Sequence, residues 1–273
     1  MTNTATLQPI PDYSAIKQRQ RATWGAGNYS VIGTTLQIVG ETLCEALDLC
    51  AGETVLDVAA GNGNVSLAAA RRRAHVTSTD YVPQLLDVAK KRAEAEGLDI
   101  EFREADAEAL PFEDGSFDVA VSTFGIMFTP NQSKAASEIA RVVRKGGRVG
   151  MANWTPDSFI GQLFKIIGKH VPPPAGVASP ALWGTDMKLK ELFPGRTVTT
   201  AKRIFNFRYE SPEHWLEVFR TYYGPTHKAF GALTPDGQQA LQTEILALVQ
   251  QLNRRRDGKM VVPGEYLEVI VSV

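Results

Sequence analysis

Two aspartates and two glycines in this sequence stand at the spacing of a nucleoside-binding site. A short apolar run at 54–58 contains Asp57 and leads into a turn with Gly61 and Gly63. A helix pattern follows, and then a second strand pattern that ends at Asp80. Glycines let a ligand approach the backbone, and a helix N-terminus offers free N–H groups beside it. A carboxylate at the end of the second strand stands where a ribose diol would be held.

The details of this turn separate two classes of cofactor. A dinucleotide fingerprint requires a third glycine, at a position where this chain has Ser66. The acidic Asp57 just before the turn also fits a pyrophosphate poorly. It suits a cationic ligand without phosphates, such as the amino and sulfonium groups of S-adenosylmethionine. The alternative is that Asp57 and the glycines only form a tight strand–helix turn in another kind of α/β protein.

From residue 55 to about 156, the sequence resembles the class I S-adenosylmethionine-dependent methyltransferases. Their first motif is an acidic residue followed by small residues and glycines, as at Asp57 and the turn after it. Ala59 stands where most members carry the first glycine, and alanine suits that position if its φ is negative. Four further blocks are similar to the ubiquinone/menaquinone-biosynthesis C-methyltransferases of the methyltransferase type 11 group: 105–112, 115–118, 124–128 and 145–148.

The elements that must position these residues alternate between strand and helix, which predicts an α/β fold with a mostly parallel sheet. The resemblance implies a Rossmann-like, doubly wound sheet of seven strands, with an antiparallel last strand and helical substrate-cap insertions. It divides the chain into a flexible tail at 1–11, an N-terminal helical lid segment at 12–50 and a methyltransferase domain at 51–273. The insertions are expected at about 155–185 and 211–258.

Three residues near strand ends are expected to bind the nucleoside of the cofactor. Asp80 is placed to accept hydrogen bonds from both ribose hydroxyls, or else to cap the helix that Pro83 opens. Asp106 is placed to accept from the adenine amine, or else to form a turn. Tyr81 offers a face for adenine, or else packs on the surface. The expected cofactor-binding residues are Asp57, Ala59, Gly61, Asn62, Gly63, Asp80, Tyr81, Asp106, Ala107, Thr123, Phe124, Trp24 and Tyr29.

The remaining members of this set are expected around the methionine end of the cofactor. Ser122, Thr123 and Phe124 end the fourth strand beside the point where ligands of α/β proteins bind. Trp24 and Tyr29 flank a glycine-containing loop, and such an aromatic segment is suited to closing over a cationic sulfur. Their alternative role is ordinary packing of the N-terminal segment against the core.

The catalytic residues stay unassigned at this point. A general base is needed only if the methyl acceptor loses a proton at or before transfer. The candidates are Tyr29, His170 and His214, although a structural or surface role also explains each histidine. No metal site is expected, because Cys44 and Cys50 are the only cysteines and no histidine cluster has ligand spacing.

Composition limits the class of partner. The formal net charge is -1, with 29 basic and 30 acidic residues, whereas nucleic-acid-binding proteins usually carry a basic excess. The N-terminus lacks the pattern of a signal peptide, and no apolar run reaches membrane-spanning length, so we expect a cytoplasmic protein. Aromatic residues in the inserted segments favour a small apolar or aromatic methyl acceptor, without nucleic acid or membrane partners.

The sequence therefore predicts an enzyme that uses S-adenosylmethionine, yields S-adenosylhomocysteine and methylates a small molecule by direct displacement. Three alternatives stay open. One is methylation of RNA or protein, which would need a basic face or a further recognition domain. Another is a protein that binds the cofactor without turnover, and the third is a nicotinamide-dependent oxidoreductase. The acceptor, the methylated atom and the oligomeric state are not encoded legibly.

Overall fold

The computed structural model describes residues 11–273, in which seven strands form one sheet. The strands are β1 (Thr54–Val58), β2 (His75–Asp80), β3 (Ile100–Glu104), β4 (Phe117–Thr123), β5 (Val143–Trp154), β6 (Val198–Tyr209) and β7 (Met260–Ser272). Their order is 3-2-1-4-5-7-6, and only β7 runs antiparallel to its neighbours. This confirms the predicted Rossmann-like sheet with an antiparallel last strand. Residues 1–10, most of the predicted tail at 1–11, lie outside the described residues.

Helices precede β1 and lie between the successive strands of the described part of the chain, except between β3 and β4, which are joined without a helix. They are α1 (Tyr13–Trp24), α2 (Ser30–Gly33), α3 (Gln37–Ala46), α4 (Asn64–Arg71), α5 (Pro83–Glu96), α6 (Gln132–Arg141), α7 (Phe159–His170), α8 (Asp186–Leu192), α9 (Pro212–Tyr222), α10 (Gly224–Gly231) and α11 (Pro235–Leu252). Within residues 11–273, none of these helices has both the length and the apolar character needed to cross a membrane.

Both faces of the sheet are covered by helices. Val55 of β1 belongs to a buried apolar cluster with residues of α3 and α4, whereas Leu56 and Val58 belong to a second cluster with residues of α6. Since alternate residues of a strand point to opposite faces, β1 separates the two clusters. Such a strand is buried on both sides. In a sheet of this kind, ligands bind at the carboxyl ends of the strands.

The stretches where insertions are expected contain helices. Helix α7 lies within 155–185, and α9, α10 and α11 lie within 211–258. In the sequence, Ser211-Pro212 and Thr234-Pro235 each predict an N-cap followed by a proline. The structure confirms both caps, because Ser211 Oγ and Thr234 Oγ1 accept backbone N–H groups at 3.1 and 3.3 Å. Each cap is followed by a proline at the first helical position, where its missing N–H costs nothing.

Two element boundaries differ from the sequence prediction. The sequence predicts a helix over 135–143, but the helix begins three residues earlier, because Asn131 caps it by accepting a backbone N–H at 3.1 Å. The alternation of aromatic and polar residues predicts a strand over 205–209, but this stretch is only the end of β6, which begins at Val198 and pairs with β7 along its whole length. Pairing with a long partner strand extends β6 through residues that show no clean alternation.

A buried hydrogen-bond chain joins β1, α4 and β2. The Asp57 carboxylate is fully buried, and Ser66 Oγ donates to its Oδ2 at 2.5 Å. Ser78 Oγ lies 2.9 Å from the same Ser66 hydroxyl. Burial raises the pKa of Asp57 to about 7, although the bonds from Ser66 act in the opposite direction. The serine that replaces a third glycine therefore supplies the donor that this buried carboxylate requires.

Replacement of that donor should be measurable as a loss of stability. Ser66→Ala should lower the free energy of unfolding by about 2 kcal/mol at pH 8, because a buried carboxylate loses its hydrogen bond. The pKa of Asp57 in the folded protein is about 7, above the ordinary 3.8, so the group is neutral at pH 5.5 and the loss should shrink there. Urea unfolding at both pH values measures the difference. Ser78→Ala, which leaves the Ser66–Asp57 bond in place, should cost less than half as much, and an equal cost would contradict this account.

Candidate active site

The turn between β1 and α4 touches the turn after β4 backbone to backbone. Ala59, Gly61 and Gly63 all have positive φ, at 53°, 57° and 81°. A side chain added to Gly125 would lie 2.2 Å from the carbonyl oxygen of Ala59, so the contact needs a glycine there. The condition under which alanine would suit this position, a negative φ, is therefore not met. This tight turn puts Ala59 in the left-handed region, where a non-glycine residue costs about 1–2 kcal/mol.

Asp80, at the end of β2, holds two turns in place. Its Oδ2 accepts the N–H of Gly61 and its Oδ1 accepts the N–H of Val82, both at 2.9 Å. Val82, and not Asp80, is the N-cap of α5. Burial raises the pKa of Asp80 to about 6, against the opposing effect of these backbone hydrogen bonds. Each carboxylate oxygen keeps a second lone pair for a ligand in the cleft.

A cleft of about 880 Å³, counting the part open to solvent, lies at the carboxyl ends of β1, β2 and β4. Eleven of the thirteen expected cofactor-binding residues line it: Trp24, Tyr29, Ala59, Gly61, Asn62, Asp80, Tyr81, Asp106, Ala107, Thr123 and Phe124. The cleft therefore gathers residues from five separate parts of the chain.

Three residues expected at the site do not line the cleft. Asp57 points into the interior, as described above. Gly63 makes room for helix packing, since a side chain there would lie 2.9 Å from both Leu67 and Ala89. Ser122 is fully buried, and its hydroxyl bridges the carbonyl of Val58 and the N–H of Ile126 at 2.7 and 3.0 Å. These residues shape the turns behind the cleft.

One end of the cleft, formed by Lys17, Asp106 and Glu108, is called the acidic end. Lys17 Nζ of α1 lies 2.6 Å from Asp106 Oδ2 and 3.2 Å from Glu108 Oε2. Burial alone would lower the pKa of Lys17, but the hydrogen bond and charge of Asp106, with those of Glu108, raise it. Asp106 Oδ1 also accepts the N–H of Glu108 at 2.9 Å. Asp106 therefore forms the expected turn and also lines the cleft.

The other end, called the aromatic end, is formed by Trp24, Tyr29 and Phe128, with Tyr223 packed behind them. The Trp24 ring centroid lies 5.8 Å from Tyr29, 4.9 Å from Phe128 and 5.5 Å from Tyr223. Burial and the charge of Asp80 raise the pKa of Tyr29 to about 12, so its hydroxyl stays protonated at neutral pH. It can therefore donate a hydrogen bond but is a poor base.

Four residues that line the cleft have no role predicted from the sequence: Lys17, Gln20, Glu108 and Phe128. Gln20 and Trp24 follow Lys17 on one face of α1, at spacings of three and seven residues. That spacing is the only local signal, and it does not reveal the partners, which lie 89 and 108 residues away. Gln20 donates to the carbonyl of Phe128 at 2.9 Å.

Comparison with known proteins now identifies the family. A family model described as a methyltransferase domain matches residues 56–151. A demethylmenaquinone methyltransferase of Thermus thermophilus is 34% identical over 178 residues, which cover 60% of this chain and 81% of that protein. The chain belongs to the class I S-adenosylmethionine-dependent methyltransferases. This methyltransferase is also similar to an uncharacterised protein of Mycobacterium tuberculosis, with 37% identity over 250 residues, 89% of this chain and 91% of that one.

The fold is shared with solved structures at lower identity. A putative methyltransferase from Bacillus halodurans aligns with a TM-score of 0.61 and 23% identity over 84% of this chain and 96% of that one.

The family match and the relatives together make this chain an enzyme with S-adenosylmethionine as methyl donor. The predicted family, enzyme class and cofactor are confirmed.

The chemistry of the cleft fits this cofactor. S-adenosylmethionine carries positive charge on its sulfur and amino groups and has no phosphate. Asp80, Asp106 and Glu108 place three carboxylates in the lining, whereas the ammonium of Lys17 is already paired with two of them. Such a lining favours a cation over a pyrophosphate, and the methyltransferase family assignment removes the oxidoreductase alternative. Among residues 11–273, no group of three or more potential ligands could hold a metal ion.

The two candidate histidines lie away from the cleft lining. His170 Nε2, at the end of α7, is 3.1 Å from Glu244 Oε1 of α11. His214, in the first turn of α9, lies 3.9 Å from Glu210 and packs its ring on Tyr209. Of the three candidate bases, only Tyr29 lines the cleft, and its raised pKa makes it a donor.

The left-handed backbone at Ala59 leads to a stability prediction. Ala59→Gly should raise the free energy of unfolding by about 0.5–1 kcal/mol, because the relief of strain exceeds the entropy that glycine adds to the unfolded chain. Ala60→Gly, at a neighbouring position without positive φ, should instead lower it by about 0.5–1 kcal/mol. Thermal and urea unfolding compare both variants with the parent. Destabilisation by Ala59→Gly would show that the turn relieves the strain in another way.

Asp80 should determine the affinity for the cofactor product. Asp80→Asn should weaken binding of S-adenosylhomocysteine by about 1.5–3 kcal/mol, the scale of a charged hydrogen bond, whereas Asp87→Asn on the exposed face of α5 should not. In the parent, affinity should fall as the pH drops through about 6, where the Asp80 carboxyl becomes neutral. Titration calorimetry between pH 5 and 8 measures both effects. An unchanged dissociation constant, or the same pH dependence in Asp80→Asn, would remove Asp80 from the site.

Proposed function

We propose that this methyltransferase acts on a small, apolar or aromatic molecule by direct displacement at the aromatic end of the cleft. One observation carries the proposal: Trp24, Tyr29 and Phe128 line the cleft, and the Trp24 ring centroid lies 5.8 Å from that of Tyr29 and 4.9 Å from that of Phe128. An acceptor bound there meets ring faces and edges, which favour a planar or apolar group. Such a site also excludes water from the reacting atoms.

In this proposal, the nucleoside of the cofactor extends toward the acidic end. Asp80 accepts from the ribose hydroxyls, and Asp106 accepts from the adenine amine beside Ala107 and Tyr81. The turn at 59–63 leaves its backbone open to the methionine part, next to Thr123 and Phe124. The donor set supports this arrangement, because carboxylates stand where hydroxyl and amine donors are expected.

The bound cofactor supplies an already activated methyl group, so the chain has mainly to align the acceptor and exclude water. A well-oriented encounter can contribute about 7–11 kcal/mol to lowering the barrier. Trp24 and Tyr29 cover the sulfur, where their ring faces favour positive charge. Tyr29 holds its proton and orients a polar atom of the acceptor. A base is then unnecessary for an acceptor atom that attacks through a free lone pair and releases any proton to water only after transfer.

The alternatives predict different surfaces or activities. A methyltransferase for RNA or protein would need a basic face or a further recognition domain. The near balance of 29 basic and 30 acidic residues does not favour a basic face. A protein that binds the cofactor without turnover would keep the cleft and lack transfer. The name of the Thermus relative gives a demethylmenaquinone acceptor for that protein, and its similarity extends over only 60% of this chain.

A screen with methyl-labelled S-adenosylmethionine tests the proposal. Phenols, quinols, heteroaromatic amines and thiols form one panel, with demethylmenaquinol analogues included, and bulk RNA and unfolded protein form the control panel. We expect label in an apolar small molecule and none in the macromolecules. Label only in RNA or protein would overturn the small-molecule assignment. Tight binding of S-adenosylhomocysteine with no transfer to any panel would favour the non-catalytic alternative.

Trp24 provides a sharper test once an acceptor is found. Trp24→Ala should lower turnover about tenfold, because it removes one wall of the aromatic end and a ring that favours the sulfonium. Binding of S-adenosylhomocysteine should change much less, since that product has no positive sulfur. Trp24→Phe keeps an aromatic face and should recover most of the activity. Steady-state rates and calorimetry on the same preparations measure both effects, and full activity in Trp24→Ala would disprove the role.

A further inference from the structure

We propose that Lys17 is a cofactor-contacting residue: its ammonium donates to the adenine edge next to Asp106, which connects α1 directly to the bound cofactor. No site residue expected from the sequence lies in the first turns of α1. The inference rests on the proposed placement of adenine beside Asp106. It adds a residue from the N-terminal helix to the adenosine site.

The first argument is the position of the ammonium. Lys17 Nζ reaches Asp106 Oδ2 at 2.6 Å and Glu108 Oε2 at 3.2 Å, and Lys17 lines the same cleft as Asp106. An ammonium has three N–H donors, and these two carboxylates use two of them. Glu108 is fixed in turn, since its Oε1 accepts the N–H of Asn131 at 2.7 Å. One donor is left for a ligand at the acidic end.

The second argument is the chemistry of the ligand. Adenine presents its exocyclic amine, a donor, beside ring nitrogens that are acceptors. Asp106 and Lys17 present a carboxylate and an ammonium 2.6 Å apart, which is an acceptor beside a donor. The two patterns are complementary: the Asp106 carboxylate can accept a hydrogen bond from the adenine amine, and the Lys17 ammonium can donate one to a ring nitrogen. Asp106 alone would recognise only the amine.

The third argument is the helix that carries Lys17. Lys17, Gln20 and Trp24 lie on one face of α1, and all three line the cleft. Lys17 and Trp24 are seven residues apart, about 10 Å along the axis, so one rigid helix contributes to both the acidic and the aromatic end. On its outer side, Arg21 pairs with Glu104 of β3 at 2.6 Å. A cofactor that holds Lys17 therefore also positions the wall provided by Trp24.

Two measurements on the intact chain test this inference. Calorimetry with S-adenosylhomocysteine compares the parent, Lys17→Met and Arg19→Met. Arg19 is exposed on the same helix and lies outside the cleft lining. Arg19→Met removes one positive charge, as Lys17→Met does, so it is the matched control. Hydrogen–deuterium exchange of the α1 amides is then followed with and without S-adenosylhomocysteine in each protein.

We expect Lys17→Met to weaken S-adenosylhomocysteine binding about tenfold and to lose the exchange protection of α1 that the parent gains on binding. Arg19→Met should behave as the parent. Unchanged affinity and protection in Lys17→Met would overturn the inference and leave the proposed function intact. Tighter binding by Lys17→Met would also overturn it, because Lys17 would then compete with adenine for Asp106. If the parent fails to bind S-adenosylhomocysteine, the proposed site falls as well.

Discussion

The Asp80 carboxylate is the constraint on which the rest of the site depends. It accepts the N–H of Gly61 from the turn after β1 and the N–H of Val82 at the start of α5. Two strands that run side by side are thereby joined to the two helices that follow them. The same carboxylate is buried and has a raised pKa, so any ligand that donates to it recovers part of the cost of burying its charge.

The cleft combines an acidic and an aromatic region at the carboxyl edge of the sheet. Carboxylates dominate the acidic end, whereas rings enclose the aromatic end, where the charge of Asp80 still acts on Tyr29. A methyl donor needs both regions, because its nucleoside and amino groups are donors or cations while the methyl group must reach a water-poor space. The division follows from topology: β2 and β3 lead to the acidic loops, and the N-terminal helices and the turn after β4 supply the rings.

Sequence patterns were sufficient for the parts of the site that are local in the chain. Asp80 and the glycines of the first turn follow from a strand–turn–helix pattern whose residues are neighbours in sequence. Lys17 could not be predicted as a site residue in this way, because its position in the cleft depends on contacts with carboxylates about 90 residues away. Asp57 was expected at the ligand but faces Ser66, and only the three-dimensional packing of α4 on β1 and β2 decides its direction.

The backbone angle of Ala59 and the two histidines illustrate a different limit. A local rule favours negative φ for alanine, yet the turn imposes 53° on it because β1 must stop directly beside the turn after β4. His170 and His214 have the right chemistry for a base, but helix packing directs them toward Glu244 and Glu210. Residue type alone carries no information about such directions.

The contact between Gly125 and Ala59 has one more consequence, for the dimensions of the enzyme. Any side chain at residue 125 would meet the Ala59 carbonyl at 2.2 Å, and ordinary packing would require the two turns to separate by roughly an ångström. Ala59 and Gly125 both line the cleft. The shape of its wall at this point therefore depends on the absence of a single methyl group, and even alanine at residue 125 would change it.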